Sequence, residues 1–320
     1  MSVAACLLFY GFAVAVLAPR LLRRVGQAGA APRVALIAWL ASMASTVLAW
    51  SAALVMLVVD LVSHGVSSAP KRILDTCLTH LHDATVGRYG TPVQVALLLL
   101  AGAVSLAAGV LAVRLATSLL RARRTTFEHA QLTRMAGRHH PDLDAVVLEV
   151  DEPAAYCVAG KPHTVVVSRA VLTALPDDHL DAVLSHERAH LSGRHHLLLA
   201  ATRGLATVLP GLTLFTIGAR EVARLLEMLA DDAAARIHGR GTVLRALLTL
   251  SGMKAGPAGA LGAAEVALAT RVQRLSAPTA PASRTRARLT LTAAAATATL
   301  APLASLLVAV GIALCTPIPG

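Results

Sequence analysis

The chain has 320 residues, of which 56% are hydrophobic and only 15% are charged, whereas soluble domains carry about a quarter charged residues. Its formal net charge is +11, but only 3% of the residues are aromatic, and the arginines lie beside long apolar segments. This composition excludes an ordinary soluble domain, argues against direct nucleic-acid binding and favours a membrane protein.

Four apolar segments are long enough to cross a hydrocarbon core of about 30 Å. They comprise residues 2–18, 34–59, 93–113 and 289–316. No positive residue precedes the first segment, so we expect a retained anchor and not a cleaved signal peptide. The spans divide the chain into a membrane domain over 1–120, a second domain over 121–288 and a fourth transmembrane helix.

The distribution of positive charge predicts the orientation of these spans. Basic residues crowd the first loop and both ends of the second domain: Arg20, Arg23, Arg24, Arg33, Arg121, Arg123, Arg124, Arg284, Arg286 and Arg288. The second loop, residues 61–91, holds only Lys71, Arg72 and Arg88. By the positive-inside rule, the first loop and residues 121–288 lie in the cytoplasm of a bacterial cell, and both termini lie outside its plasma membrane. The four cysteines have no metal-ligand spacing and are expected to be unpaired, with an external disulfide as the alternative.

Residues 121–288 combine strand and helix patterns. Short β-branched runs at 145–150 and 164–168 predict two strands, joined through the turn Gly160-Lys161-Pro162. Pro176-Asp177-Asp178 predicts the start of a helix with Asp177 as its N-cap, and Gly193 predicts its end. We therefore expect a mainly α-helical polytopic membrane protein, with a cytoplasmic α+β domain inserted between the third and fourth transmembrane helices.

The predicted helix carries the sequence His186-Glu187-Arg188-Ala189-His190. Residues four apart project about 40° apart on one helix face, so the two imidazoles can bind one metal ion with a carboxylate beside them. This is the ligand pair and the general base of zinc peptidases. The alternative is two surface histidines on an amphipathic helix, although the pattern rarely arises by chance. His195 and His196 are out of helical register with this pair, and we expect them to support the site or an interface.

A catalytic zinc ion needs a third protein ligand and leaves its fourth position to water. Glu227 is the best candidate, on a second predicted helix over 219–238, and Asp231 follows one turn later on the same face. Asp231 would accept a hydrogen bond from a ligand imidazole and fix its tautomer. The alternative is an exposed helix face, on which these carboxylates pair with Arg220 and Arg224.

Residues 195–220 resemble a fifth span, but a single crossing there would put Glu227 and His186 on opposite sides of the membrane. Pro210-Gly211 breaks this run near its middle, and Arg203 interrupts its first half. We therefore expect a helical hairpin that dips into the inner leaflet and returns.

These motifs resemble those of the BlaR/MecR-type integral-membrane zinc metallopeptidases. The likeness rests on the His-Glu-x-x-His run, the downstream Glu-x-x-x-Asp and the N-terminal spans. Residues 156–160 and 165–168 resemble the strand segment before the active-site helix. Arg271-Val272-Gln273-Arg274-Leu275 resembles an arginine-leucine helix near the end of the domain in compact members. The catalytic core is also similar to that of HtpX-type and CAAX prenyl endopeptidases.

The resemblance implies a gluzincin-like domain with one catalytic Zn2+, which His186, His190 and Glu227 hold. Glu187 would then be the base and Asp231 the supporting carboxylate. The family usually has an Asp shortly after the second His, where this chain has His195. The family's antibiotic sensors also carry an external penicillin-binding domain after their last span. Only a few residues follow the last predicted span in this sequence, so we expect no direct β-lactam sensing.

The resemblance implies an endopeptidase at the cytoplasmic membrane face. The favoured role is regulated proteolysis, in signal transduction, of a protein substrate such as a BlaI/MecI-type transcriptional repressor. Two alternatives stay open: an HtpX-type protease for membrane-protein quality control, and a non-enzymatic receptor or scaffold with a structural zinc site. We expect the substrate to extend along the edge of the 164–168 strand. Candidates for stabilising the oxyanion are Tyr156, Arg194 and His195.

Overall fold

The structure, a computed structural model, describes residues 3–27, 29–63, 91–160, 162–253, 262–277 and 280–315. Ten α-helices and four β-strands lie within these ranges. Most of the predicted outer loop, residues 64–90, lies outside the described residues.

Three long helices form the N-terminal part of the chain. They are α1 (Val3–Gly26), α2 (Pro32–Ser63) and α3 (Thr91–Ala136). By length and composition, three stretches within them could cross a membrane: Val3–Gly26, Pro32–Val58 and Gly102–Ala136. The first three predicted spans lie in these helices. Helices α1 and α2 pack against each other, whereas the apolar stretch of α3 has no buried residues within the described part of the protein.

A small mixed sheet follows α3, with the strand order β1-β2-β4-β3. The strands are β1 (Arg138–His140), β2 (Ala145–Leu148), β3 (Ala155–Val158) and β4 (Thr164–Ser168). β2 and β4 are parallel, and the two outer pairings, β1 with β2 and β3 with β4, are antiparallel. Every residue of β4 is buried, in keeping with its central position.

The prediction that the 145–150 and 164–168 strands join through the turn at Gly160 was wrong. Parallel neighbours such as β2 and β4 cannot be joined by a tight turn. Instead β3 lies between them in the sequence, and the turn that contains Gly160 connects β3 to β4.

Two helices follow the sheet, and the second of them packs against it. After α4 (Arg169–Ala174), α5 (Asp177–Ser192) buries Leu180, Val183 and Leu184 against the sheet. Pro176, and not Asp177, occupies the N-cap position of α5. Asp177 and Asp178 lie in the first turn, where their negative charges stabilise the positive end of the helix dipole.

Helices α6 (His195–Val208) and α7 (Thr213–His238) pack against each other across a short turn that contains Pro210 and Gly211. Helix α7 therefore begins at Thr213 instead of residue 219. That this turn dips into a membrane stays a prediction.

Helix α7 belongs to two parts of the protein. Its first half buries Leu214, Phe215 and Val222 against α1 and α2, where Trp39 and Met43 lie in the same hydrophobic cluster. A Cβ atom at Gly218 would come within 2.0 Å of the Met43 Cε atom, so the glycine lets α2 approach closely. The second half of α7 faces α5 and carries Glu227 and Asp231.

The C-terminal part adds α8 (Arg240–Met253), α9 (Gly262–Ser276) and α10 (Pro281–Cys315). Helix α8 packs against α5, α7 and α9, and α10 packs against α1 and α2. The Tyr10 hydroxyl group donates a hydrogen bond of 2.7 Å to the Ala298 carbonyl oxygen and so joins α1 to α10. The predicted fourth span lies on α10, whose side chains are described only as far as residue 304, and its membrane crossing stays a prediction.

Candidate metal centre

Three potential metal ligands converge between α5 and α7. His186 and His190 lie one turn apart on α5, and their Nε2 atoms are 3.1 Å from each other. The Glu227 carboxylate of α7 faces both rings, with Oε2 3.5 Å from His186 Nε2 and Oε1 3.5 Å from His190 Nε2. These three residues form a group that could hold a metal ion.

The spacing of the candidate ligand atoms fits zinc, although Glu227 faces each histidine with a different carboxylate oxygen. Nitrogen and oxygen ligands lie about 2.0–2.1 Å from a tetrahedral zinc ion, which places them about 3.3 Å from one another. The observed separations of 3.1 and 3.5 Å bracket that value. Each histidine side chain is 12% exposed, but 40% of the Glu227 side chain is exposed, so the centre is open on one side.

A buried charge network supports His186 from behind. The Asp231 side chain is only 1% exposed, and its Oδ1 atom lies 3.1 Å from His186 Nδ1. The guanidinium group of Arg271, on α9, donates hydrogen bonds of 2.8 and 2.7 Å to the two Asp231 oxygens. Arg271 Nη1 also lies 3.2 Å from Glu227 Oε2. One arginine therefore fixes both the supporting carboxylate and the carboxylate that faces the histidines.

Sequence reasoning assigned Arg271 no role in the site. It lies 40 residues after Asp231, and spacing along the chain does not predict which face of α9 meets α7. The similarity of residues 271–275 to an arginine-leucine helix was the one available signal.

The two histidines differ in their affinity for protons when no metal is bound. Burial lowers the pKa of His186, but its hydrogen bonds with Asp231 and Glu227 outweigh burial and raise the pKa to about 9. Burial lowers the pKa of His190 to about 4, assisted by the nearby charges of His186, His195 and Arg271. At neutral pH and without metal, His186 is therefore positively charged and His190 is neutral.

The two carboxylates stay ionised across the physiological range. Burial favours the neutral form of Glu227, but its hydrogen bond with His186 and the charge of Arg271 lower its pKa to about 2. Burial likewise raises the pKa of Asp231, and the opposing hydrogen bonds with Arg271 and His186 lower it to about 2.

Glu187 lies in the same groove beside Cys157 of β3. Burial raises the pKa of the Cys157 thiol to about 12, and the negative charge and hydrogen bonding of Glu187 add to the effect. The thiol group is therefore neutral beside the Glu187 carboxylate. No sequence pattern indicates this contact, because residues 157 and 187 lie on different elements.

The centre opens into a groove with a volume of about 470 Å³. One wall is β3, and the other walls come from α5, α6, α7, α8 and α9. Its lining comprises Ala155, Tyr156, Cys157, Ala182, Val183, His186, Glu187, His190, Leu199, Glu227, Asp231, Val243, Ala246, Leu247, Leu250, Ser251 and Arg271.

The prediction that a substrate extends along the edge of the 164–168 strand was wrong. This strand, β4, is paired on both sides and offers no free edge. The outer strand in the groove is β3. Among the candidates for oxyanion stabilisation, Tyr156 lines the groove, whereas Arg194 and His195 do not. His195 lies behind His190 instead, with its Nδ1 atom 2.8 Å from His190 Nδ1.

Comparison with known families agrees with this chemistry. Residues 120–222 match Peptidase family M48. The matched segment covers the end of α3, the sheet, all of α5 with its His-Glu-x-x-His run, and the start of α7. The match indicates a metallopeptidase and does not extend to the BlaR/MecR type in particular. Glu227, Asp231 and Arg271 lie beyond the matched segment. No match is found among curated proteins or among solved structures.

The pKa values predict how metal affinity depends on pH. A metal ion must displace the proton of His186, whose pKa is about 9, whereas His190, with a pKa of about 4, is already neutral at pH 6. Zinc affinity should therefore rise about tenfold per pH unit between pH 6 and 8 and level off above pH 9. Competition with a chromophoric chelator, corrected for protonation of the chelator, measures this. An affinity that is constant from pH 6 to 8 would contradict the assignment.

Arg271 should be needed for tight metal binding. Removing a group that orients a metal ligand typically weakens affinity 10- to 100-fold, so we expect Arg271→Ala to lose affinity in this range. Arg271→Lys should recover only part of it, because an ammonium group cannot bind both Asp231 oxygens in the same plane. Arg236→Ala removes an exposed arginine from α7 and provides the control. Equal zinc affinity in Arg271→Ala, Arg236→Ala and the unmodified protein would contradict the role of the network.

Proposed function

We propose that the protein is a zinc-dependent endopeptidase that cleaves a protein substrate at the cytoplasmic face of a membrane. The observation that carries this proposal is the convergence of two imidazoles and one carboxylate at zinc-ligand spacing, in a groove that Glu187 also lines. The metallopeptidase match over residues 120–222 supports it.

Zinc is the metal that this ligand set favours, because two histidines, one carboxylate and an open position are typical of catalytic zinc sites. A zinc ion bound there would lower the pKa of a water molecule and polarise the scissile carbonyl group. The structural alternative is disfavoured, since structural zinc sites are usually closed by four protein ligands, and Glu227 is 40% exposed here.

Glu187 is the group that moves the proton. Its carboxylate would accept a proton from the attacking water and deliver it to the leaving amine. The neutral Cys157 thiol beside it adds no charge that would compete for this proton. Asp231 and Arg271 keep His186 and Glu227 in place during this transfer.

The substrate would bind as an extended peptide along β3. An outer strand leaves backbone N–H and C=O groups free to pair with an added strand, and β3 provides Ala155, Tyr156 and Cys157 to the groove. A peptide there would pass directly beside Glu187. The facing wall from α8 presents Leu247 and Leu250, which suit apolar substrate side chains.

Contacts of the loop between α1 and α2 support the cytoplasmic placement. The Arg224 guanidinium group donates hydrogen bonds to the carbonyl oxygens of Gly26 and Gln27, at 3.0 and 3.5 Å. Arg274 donates to the Gly29 carbonyl oxygen at 3.0 Å. The loop thus touches the metallopeptidase domain directly. Because the positive-inside rule assigns this arginine-rich loop to the cytoplasm, the metal centre would lie on the same side.

The same contacts favour regulated proteolysis over general degradation. Gly29 packs so closely that a Cβ atom there would lie 2.9 Å from the Met228 sulfur atom, and Met228 is the neighbour of Glu227. A movement of α1 relative to α2 would therefore reach a ligand of the metal. We infer that signals received by the membrane helices control cleavage of a repressor of the BlaI/MecI type. Quality control of membrane proteins, as in the HtpX type, is the second candidate, because the groove is open and largely apolar.

Glu187→Gln tests the chemical proposal. The variant should bind zinc as tightly as the unmodified protein but cleave substrate 10²- to 10⁴-fold more slowly, roughly the contribution of a general base. Glu152→Gln changes an exposed carboxylate outside the groove and should leave the rate unchanged.

The assay uses full-length protein in lipid vesicles, with purified repressor proteins and misfolded membrane proteins as substrates. Cleavage of one repressor at a single site supports the regulatory role, and broad cleavage of misfolded proteins supports quality control. Normal zinc binding with no cleavage by either form would favour the scaffold alternative.

A further inference from the structure

An unusual turn brings His195 back onto the metal centre. Helix α5 ends at Ser192, and Arg194 adopts the left-handed backbone conformation with φ +50° and ψ +37°. This conformation is unfavourable for a non-glycine residue, because its Cβ atom comes too close to the following carbonyl oxygen. Such strain is often retained at functional sites. Because of this turn at Arg194, the first residue of α6, His195, has its ring directed toward His190.

The His195 ring is held on two sides. Its Nδ1 atom lies 2.8 Å from His190 Nδ1, and the two rings meet edge to face with centroids 4.8 Å apart. On the other side, a Cβ atom at Gly193 would lie only 2.4 Å from His195 Nε2. The residue is 7% exposed. The lack of a side chain at Gly193 therefore makes room for the ring.

The orientation of His190 determines how the hydrogen bond to His195 is made. His190 directs Nε2 toward His186 and Glu227, where the metal would bind. Its Nδ1 atom must then carry the hydrogen and donate it, because a ligand imidazole is neutral. His195 Nδ1 is the acceptor, and the proton of His195 lies on Nε2.

The two ligand histidines are thus supported in parallel ways. His186 directs Nδ1 to the Asp231 carboxylate, and His190 directs Nδ1 to His195. We propose that His195 is a positioning residue for the metal centre, whose neutral imidazole accepts the Nδ1 hydrogen of His190 and fixes its tautomer and ring orientation. This inference rests on the proposed metal site. It decides between the two roles that the sequence left open for His195, which were support of the metal site and contact at an interface.

The experiment compares three replacements at His195 by their zinc affinity. His195→Leu removes the acceptor and keeps an apolar side chain of similar size, so zinc affinity should fall 10- to 100-fold. His195→Asn places an amide oxygen near the former Nδ1 position and should recover most of the affinity. His195→Asp supplies a charged acceptor and should bind zinc at least as tightly as the unmodified protein. The control is His196→Leu, which should change nothing, because the half-buried His196 ring lies near His163, with their centroids 6.3 Å apart.

Gly193→Ala displaces the ring without removing it. The Gly193 backbone, with φ −76°, is allowed for alanine, so the added methyl group acts mainly on His195. Zinc affinity should fall in Gly193→Ala, but the same change made in a His195→Ala background should cause no further loss. This second comparison separates the contact with His195 from the contact with the Ala189 carbonyl oxygen, which would lie 3.1 Å from the added methyl group.

Thermal unfolding without metal and the visible spectrum of the Co2+-loaded protein complete the test. A positioning role requires that His195→Leu and Gly193→Ala alter the Co2+ spectrum and that His195→Asn restores it. Equal zinc affinity in His195→Leu and the unmodified protein overturns the proposal. A loss that Asn and Asp do not rescue, with a matching fall in melting temperature, also overturns it in favour of a packing role. Absence of zinc binding by the unmodified protein would instead refute the metal centre itself.

Discussion

The metal centre depends on the buried Asp231 carboxylate. An ionised carboxylate with 1% of its surface exposed is unfavourable unless charged partners bind it. His186 and Arg271 do so from α5 and α9, while Asp231 itself lies on α7. Removing one partner from such a buried network commonly costs about 3–5 kcal/mol. Three helices are therefore held in one arrangement, and the side chains of His186 and Glu227, the proposed metal ligands, are oriented as a consequence.

Helix α7 connects this centre to the apolar helices. Its first half packs against α1 and α2, and its second half supplies Glu227 and Asp231. Arg274, one turn after Arg271, pairs with Asp232 and holds the loop at Gly29. The same short helix α9 thus joins the loop between the apolar helices α1 and α2 to the carboxylates of the centre. In this arrangement, the apolar part of the protein is a structural part of the site.

The sequence predicted the parts of the site that follow from local geometry. Helical spacing determines that His186 and His190 share a face, and the need for a third ligand led to Glu227, which the structure brings beside them. It did not predict contacts between distant elements, such as Arg271 with Asp231 or Cys157 with Glu187. The prediction of how the strands connect was wrong for the same reason, because strand pairing is also a contact between distant elements. The patterns of 145–150 and 164–168 indicate strands, but they do not indicate that β3 would intervene and leave β4 without a free edge.

The coordination of bound zinc tests the central claim most directly. We expect one zinc ion per chain, and an X-ray absorption spectrum with only nitrogen and oxygen ligands at about 2.0–2.1 Å, including two imidazoles. His190→Ala should remove one imidazole from the spectrum, and Glu227→Gln should weaken binding. A sulfur ligand at about 2.3 Å, or a spectrum that His190→Ala leaves unchanged, would contradict the assignment of the metal centre.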